Sequence, residues 1–424
     1  MKHLLLLLVS LLMISPAAFA DTPDRPCPIL LAPVSLPNPK GLIFGSQLSQ
    51  TDMSKSILLS DAPVKSQGGY GCCWISASLG RWERKIEKKF GHAIPVSENH
   101  MILASLFFRI EEGIYYGSEV IQGGWAHASE WMAKNVGLVP ESAWKPKADL
   151  RERGAGKEAL AYLNLEIQKF QIRLDEMKSA GKTEKDAWDF AQRRKSELFK
   201  HLRTRYGNFP SSFKVDGVEY TPHSFAEKIL EGDPEETLMV YERDTPALGI
   251  RKINEEDVVL IKKEKSLFDQ FPSATKYLSV TKNKLTRDRR LNKNAYKLYF
   301  RSVDAAETSD VAQSYIHHQV GKALEAGKAV HISTAMVPSF YDKKTGVMSL
   351  SAFGGDLEKA KTAEISGGHA MLITGVYRDV NGVPTGYRIQ NSWSAANGDI
   401  GYFYMDLNYF EAFVSDVKIL KSKQ

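Results

Sequence analysis

Gln67-Gly68-Gly69-Tyr70-Gly71-Cys72-Cys73-Trp74 leads directly into Trp74–Phe90, a run with the apolar spacing of a helix. Three glycines ahead of a helix make a tight turn, and the turn sets Cys73 near the helix N-terminus. There the unpaired N–H groups favour a thiolate over a thiol. The same geometry aims the Cys73 backbone N–H at the oxygen of a carbonyl under attack. Gln67, six residues earlier on the turn, can bring its side-chain amide to that oxygen as a second donor. A structural cysteine buried in a tight turn would look the same, so a nucleophile has to be argued from its partners.

The C-terminal third supplies them. His369 stands in Gly367-Gly368-His369-Ala370-Met371, at the head of an apolar strand. Asn391-Ser392-Trp393 follows twenty-two residues on, at the end of the next strand across a hairpin marked by Asn381-Gly382. Neighbouring antiparallel strands can hold His369 and Asn391 side by side. The Asn391 amide oxygen would then choose the imidazole tautomer, and Trp393 would cover the bond from water. Core packing accounts for any one of these residues, but not for the ordered set.

Between these ends the texture is helical. Ser97 reads as the N-cap of a helix carrying Ile102, Leu103 and Leu106. Another follows Gly123-Gly124 and ends at Gly137. Leu160, Leu163, Ile167, Phe170, Leu174 and Met177 repeat in steps of three and four, the seam of a packed helix. Thr183 with Asp186 caps the next, which runs to Gly207, and so short a turn predicts an antiparallel pair. Thr221-Pro222 opens a shorter helix. After a helix near Asp310–Ala326 the pattern turns to strands at Ala329–Met336, His369–Val380, Gly386–Ser392, Gly401–Asp406 and Phe413–Leu420. Helices first and an antiparallel sheet last indicate an α+β protein.

The chain is expected to carry an export leader at residues 1–20. Lys2 precedes the apolar run Leu4–Ile14, and Ala18-Phe19-Ala20 has the form of a signal-peptidase site. The apolar run is too short for a stable membrane span, and no membrane anchor is expected after cleavage. Export to the periplasm or beyond follows. The mature 404 residues divide into a proline-rich arm (21–60), a helical lobe with the nucleophile (61–150), a mostly helical insertion (151–310) and a sheet lobe with the histidine and asparagine (311–424). A net charge of +6 is mild for this length and does not by itself argue for a nucleic-acid or membrane partner. The basic run Lys276–Lys297 reads as solvated surface.

The ordered motifs Gln67…Cys73-Trp74, Gly123-Gly124-Trp125, His369-Ala370 and Asn391-Ser392-Trp393 resemble those of papain-like cysteine peptidases. The finer resemblance is to the bleomycin hydrolase and bacterial aminopeptidase C branch. Gln122-Gly123-Gly124-Trp125 with Asn135-Val136-Gly137-Leu138-Val139-Pro140 is similar to one of its segments, and Thr221-Pro222-His223-Ser224-Phe225 to another. His369 lies 296 positions after Cys73, about twice the ~130–150 of papain-type enzymes, which fits the branch's large helical insertion.

The resemblance implies a two-lobed papain-like fold with a cleft between the lobes. It also implies an acyl-enzyme on Cys73, His369 and Asn391 as its partners, Gln67 as oxyanion donor, and Gly123, Gly124 and Trp393 in contact with peptide or protein substrates. Gly124 matches the position whose backbone pairs with substrate. Acyl transfer to an amine and a silent binding module are the competing readings.

Three departures stand out. Tyr70 occupies the place of a disulfide cysteine, and Ser394 that of the glycine usual after Asn-Ser-Trp. The branch also carries an arm beyond its final strand that enters the cleft and restricts cleavage to amino termini. Here only Lys421-Ser422-Lys423-Gln424 follow the expected last strand, a reach of about 14 Å, so strict aminopeptidase action is not expected.

Cys27, Cys72 and Cys73 are the only cysteines, too few for a disulfide framework. Cys72 reads as a small side chain packed behind the nucleophile. A Cys27–Cys72 bridge and a strained Cys72–Cys73 bridge are the alternatives. Adjacent His317-His318 face different sides of a helix, and the other histidines lack ligand spacing, so neither metal nor cofactor is expected. The motifs do not specify an oligomeric state.

Overall fold

In the first helix, α1 (Cys73–Phe90), Ile75, Leu79, Trp82 and Ile86 recur at steps of three and four, all buried. The helix stops at Gly91, whose φ of 77° a side chain would resist, behind Lys88 and Lys89 in the last turn. The computed structural model describes residues 51–124, 126–230, 237–242, 266–277 and 310–421. The leader, Cys27 and most of the basic run Lys276–Lys297 lie outside the described residues.

Helix α2 (Glu98–Tyr116) opens on Ser97, whose side chain accepts from His100 N as the sequence predicts. Helix α3 (Ala126–Asn135) follows the Gly123-Gly124 segment. The long pair α4 (Arg153–Ser179) and α5 (Glu184–Tyr206) is joined at a capping box in which Thr183 and Asp186 each bond the other's backbone. Their contacts run in opposite directions: Phe170 stacks on Phe190, Glu166 meets Arg194, and Tyr162 stacks on His201. The pair is therefore antiparallel. Buried residues of α1 to α5 belong to one continuous core. Helix α6 (Pro222–Leu230) and α7 (Asp310–Glu325) complete the longer helices described.

The sheet comprises β1 (Ile57–Leu58), β4 (Thr237–Glu242), β5 (Val330–Met336), β6 (Tyr341–Asp342), β7 (Val347–Met348), β8 (Gly367–Arg378), β9 (Pro384–Gln390), β10 (Tyr402–Asp406) and β11 (Val414–Lys421). The strand order is β4-β11-β5-β8-β9-β10-β7-β6, with β1 added on β8. Every pairing is antiparallel except β7 with β10. Alternation along β8 divides its side chains between two cores. Ala370 and Leu372 join α1, whereas Met371 and Ile373 pack with α7 and the helix Leu407–Phe413.

One sequence reading shifts. Phe413 ends that helix and β11 starts one residue later. A separate hairpin, β2 (Phe213–Val215) with β3 (Val218–Tyr220), turns on Asp216 and Gly217, both at positive φ. Its Asp-Gly pair is a local hairpin signal.

Candidate active site

The glycines ahead of Cys73 answer to close packing. A Cβ on Gly68 would stand 2.4 Å from the Arg151 carbonyl oxygen, and one on Gly69 would stand 2.6 Å from Arg153 Cβ. Gly69 N donates to that same Arg151 carbonyl at 2.8 Å. Tyr70 is buried, its ring against Gly156 where a Cβ would come within 2.3 Å. The opening of α4 thus lies directly over the nucleophile turn. Packing thus fixes Tyr70 in the turn.

Cys73 is the first residue of α1, and no side chain caps that helix start. Burial pushes its thiol up, while the N–H groups of Ala370, Trp74 and Cys73 itself pull it down. The Ala370 contact brings the sulfur beside the residue that follows His369. Cys72 is fully buried, with its sulfur 3.9 Å from the Gln67 carbonyl, and burial holds its thiol well above the usual range. Cys72 and Cys73 are both free, and Cys72 packs behind the turn as a small side chain. A bridge to Cys27 concerns a residue outside the described set.

On the opposite side, β8 and β9 present His369 and Asn391. His369 Nε2 lies 2.7 Å from Asn391 Oδ1. Asn391 Oδ1 also accepts from Ser392 N at 2.7 Å, which turns the amide oxygen toward the ring. With Nε2–H as the donor, Nδ1 is the nitrogen left to exchange a proton with a thiol. Trp393 stacks on the imidazole, with centroids 4.7 Å apart and planes at 25°. Burial pushes the His369 pKa down to about 4, against the opposing pull of Asn391. Each partner alone therefore resists charge.

Gln67 links the two sides. Its backbone N–H donates to the Ser392 carbonyl at 2.9 Å, and Ser66 bridges Trp393. Ser392 Oγ donates to Gln67 Oε1 at 2.7 Å, while Gln67 Nε2 donates to the Tyr70 carbonyl at 3.2 Å. The amide is thereby oriented, with one of its two N–H groups not used by these bonds. Ser392 lay within a motif of the sequence, yet its tie to Gln67 spans 325 residues and has no sequence signal.

Gln122 likewise makes ties that carry no sequence signal. Its Oε1 accepts from Gly71 N at 2.7 Å, and its carbonyl accepts from Trp74 Nε1 at 3.0 Å. Arg109, paired with Glu112 at 2.9 Å, donates to the Gly123 carbonyl at 2.5 Å. A Cβ on Gly124 would stand 2.5–2.7 Å from three atoms of the Trp74 ring, whereas one on Gly123 meets nothing within 4 Å among the described residues. Glycine at 124 is thus required by Trp74. Ser394, in place of the family's glycine, sits at φ 69°, the left-handed region that explains the preference for glycine there. Among the described residues no group of three or more His, Cys, Asp or Glu gathers as metal ligands.

A model of the Peptidase C1-like family matches residues 281–423. The mitochondrial Cysteine proteinase 1 of Saccharomyces cerevisiae (strain ATCC 204508 / S288c) is 34% identical over 127 residues, covering 27% of this chain and 26% of the yeast protein. This match therefore spans about a quarter of the relative's length. Aminopeptidase C of Lactobacillus helveticus is 23% identical over 423 residues, 90% of this chain and 85% of that one. Among solved structures, pepw from Lactobacillus rhamnosis HN001 superposes with a TM-score of 0.59 at 17% identity, covering 88% and 83% of the two chains, and supports the fold. The Peptidase C1-like model and these relatives support the resemblance to the bleomycin hydrolase and aminopeptidase C branch of the papain-like cysteine peptidases.

Proposed function

We propose that this protein is an exported peptidase that hydrolyses peptide bonds through an acyl-enzyme on Cys73. The observation that carries the reading is the 2.7 Å bond between His369 Nε2 and Asn391 Oδ1 beneath Trp393. It has a purpose if Nδ1 must accept and return a proton.

His369 Nδ1 takes the thiol proton as Cys73 Sγ attacks the scissile carbonyl carbon, forming the C–S bond. The oxyanion accepts from the Cys73 N–H and from the free N–H of Gln67. Collapse breaks the C–N bond, and the leaving amine takes the proton from His369. Water, deprotonated by the same imidazole, then attacks the thioester and releases the acid with Cys73 restored. Gly123 and Gly124 form one wall of the cleft and Trp393 covers the other side.

The mode of cleavage is proposed to be endopeptidase or relaxed aminopeptidase. Among the described residues a Cβ at Gly123, Gly367 or Gly368 would meet nothing within 4 Å, which supports an open cleft. Export rests on the leader of residues 1–20, and N-terminal sequencing of secreted protein should begin at Asp21. Labelling with an epoxide warhead selective for papain-type thiolates, followed by peptide mapping, tests the mechanism. Label on Cys73 is expected, and label on Cys72 or Cys27 alone would overturn it. Cleavage within N-blocked, internally quenched peptides tests the mode. Turnover confined to free amino termini would reject the endopeptidase alternative.

A further inference from the structure

The cleft wall running from Val120 to Gly124 is pinned at three points. Gln122 ties it to Gly71 and Trp74, and Arg109 of α2 holds the Gly123 carbonyl. The third tie comes from α4. Asn164 Oδ1 accepts from Val120 N at 2.9 Å, and Asn164 Nδ2 donates to the Val120 carbonyl at 2.9 Å. One side-chain amide thus satisfies both backbone groups of a single residue, as a neighbouring strand would. Val120 is itself buried, and Ile121 beside it is 42% exposed. Gly113 of α2 presses on the same helix, since a Cβ there would meet Ile167 within 2.3 Å.

We propose that Asn164 is a positioning residue for substrate: the helical insertion holds, through its amide, the backbone edge on which the peptide lies. The inference rests on the reading that the Gly123-Gly124 wall receives the peptide. It goes further in assigning α4 a part in substrate affinity. The physical reason lies in the arrangement of ties. Gln122 and Arg109 anchor the end of the wall nearest Cys73, and only the Val120 end depends on Asn164. An unpaired backbone N–H and carbonyl at Val120 would seek water or other partners and shift that end of the wall. Cys73, tied through Gly71 and Trp74, would keep its place.

The test separates affinity from nucleophile geometry. Binding of fluorescein-labelled casein is followed by anisotropy in a Cys73→Ala background, with and without Asn164→Ala or Asn164→Asp. The aspartate keeps the acceptor for Val120 N but faces the Val120 carbonyl with an oxygen. In parallel, the rate of Cys73 alkylation by iodoacetamide is measured in Asn164→Ala and Asn164→Asp alone. Both variants should weaken casein binding about tenfold and leave alkylation within twofold of wild type. Unchanged binding would overturn the proposal, as would alkylation slowed as far as binding is weakened. Failure of Cys73→Ala to bind casein would also overturn it. Asn164-dependent binding in a chain whose wild type cleaves nothing would instead refute the peptidase reading and leave this one standing.

Discussion

Gly124→Ala places one methyl group where the structure has no room. The added Cβ would stand 2.5 Å from Trp74 Cε2, 2.6 Å from Cζ2 and 2.7 Å from Cδ2. Carbon atoms pack at about 3.5–4.0 Å, so ring or wall must move by roughly 1 Å. The ring has little freedom, being 3% exposed and bonded through Nε1 to the Gln122 carbonyl at 3.0 Å. Overpacking of this kind costs about 1–3 kcal/mol. Trp74 follows Cys73 directly, so the displacement also reaches the nucleophile, where ~1 Å can cost about a hundredfold in rate. Gly123→Ala is the internal control, because its Cβ meets nothing within 4 Å among the described residues. Thermal melting and the second-order rate of Cys73 alkylation by iodoacetamide read the two effects without a peptide substrate. Gly124→Ala should melt lower and alkylate at least tenfold more slowly, with Gly123→Ala near wild type in both. Equal behaviour of the two variants would refute the packing argument.

Asn391→Ala removes the 2.7 Å bond to an imidazole that becomes charged during the reaction. A charge-assisted bond is worth about 1.5–3 kcal/mol, so kcat/KM should fall roughly 10- to 150-fold; a loss under threefold would show that the bond does not steer the ring. His369 and His100, held by burial at pKa values of about 4 and 3, and His331, held well below the ordinary 6.5, are neutral in the fold. The unfolded chain binds more protons in that window. Stability is thus full above about pH 6.5 and falls by several kcal/mol as pH drops toward 4 and below; urea midpoints that stay level from pH 7 to 4.5 would contradict this. Ser394→Gly relieves a left-handed backbone at φ 69° and should raise stability by about 1 kcal/mol, with a lower melting temperature as the opposing result.

Much of the catalytic arrangement was legible because local rules carry it. Glycines before a helical run located Cys73, and a hairpin signal located His369 on one strand and Asn391 just past the end of the next. Caps at Ser97 and Thr183 were readable because N-cap bonds join residues three apart. The Asp216-Gly217 hairpin was equally local and shows that a signal can be present and still missed.

What the sequence by itself determined was the α+β class and the helix starts, and it nominated Gln67, Cys73, His369 and Asn391 as candidates, because period and spacing report short-range geometry. Only the tertiary structure decided why Gly68, Gly69 and Gly124 have no side chain, since Arg151, Arg153 and Trp74 crowd them from elsewhere in the fold. It alone joined Ser392 to Gln67, Tyr70 to Gly156, and Asn164 to Val120. Such contacts pair residues 44 to 325 positions apart in the two hydrogen-bonded cases. No periodicity relates them. They exist because the chain folds back and every buried donor, acceptor and surface must find a partner there.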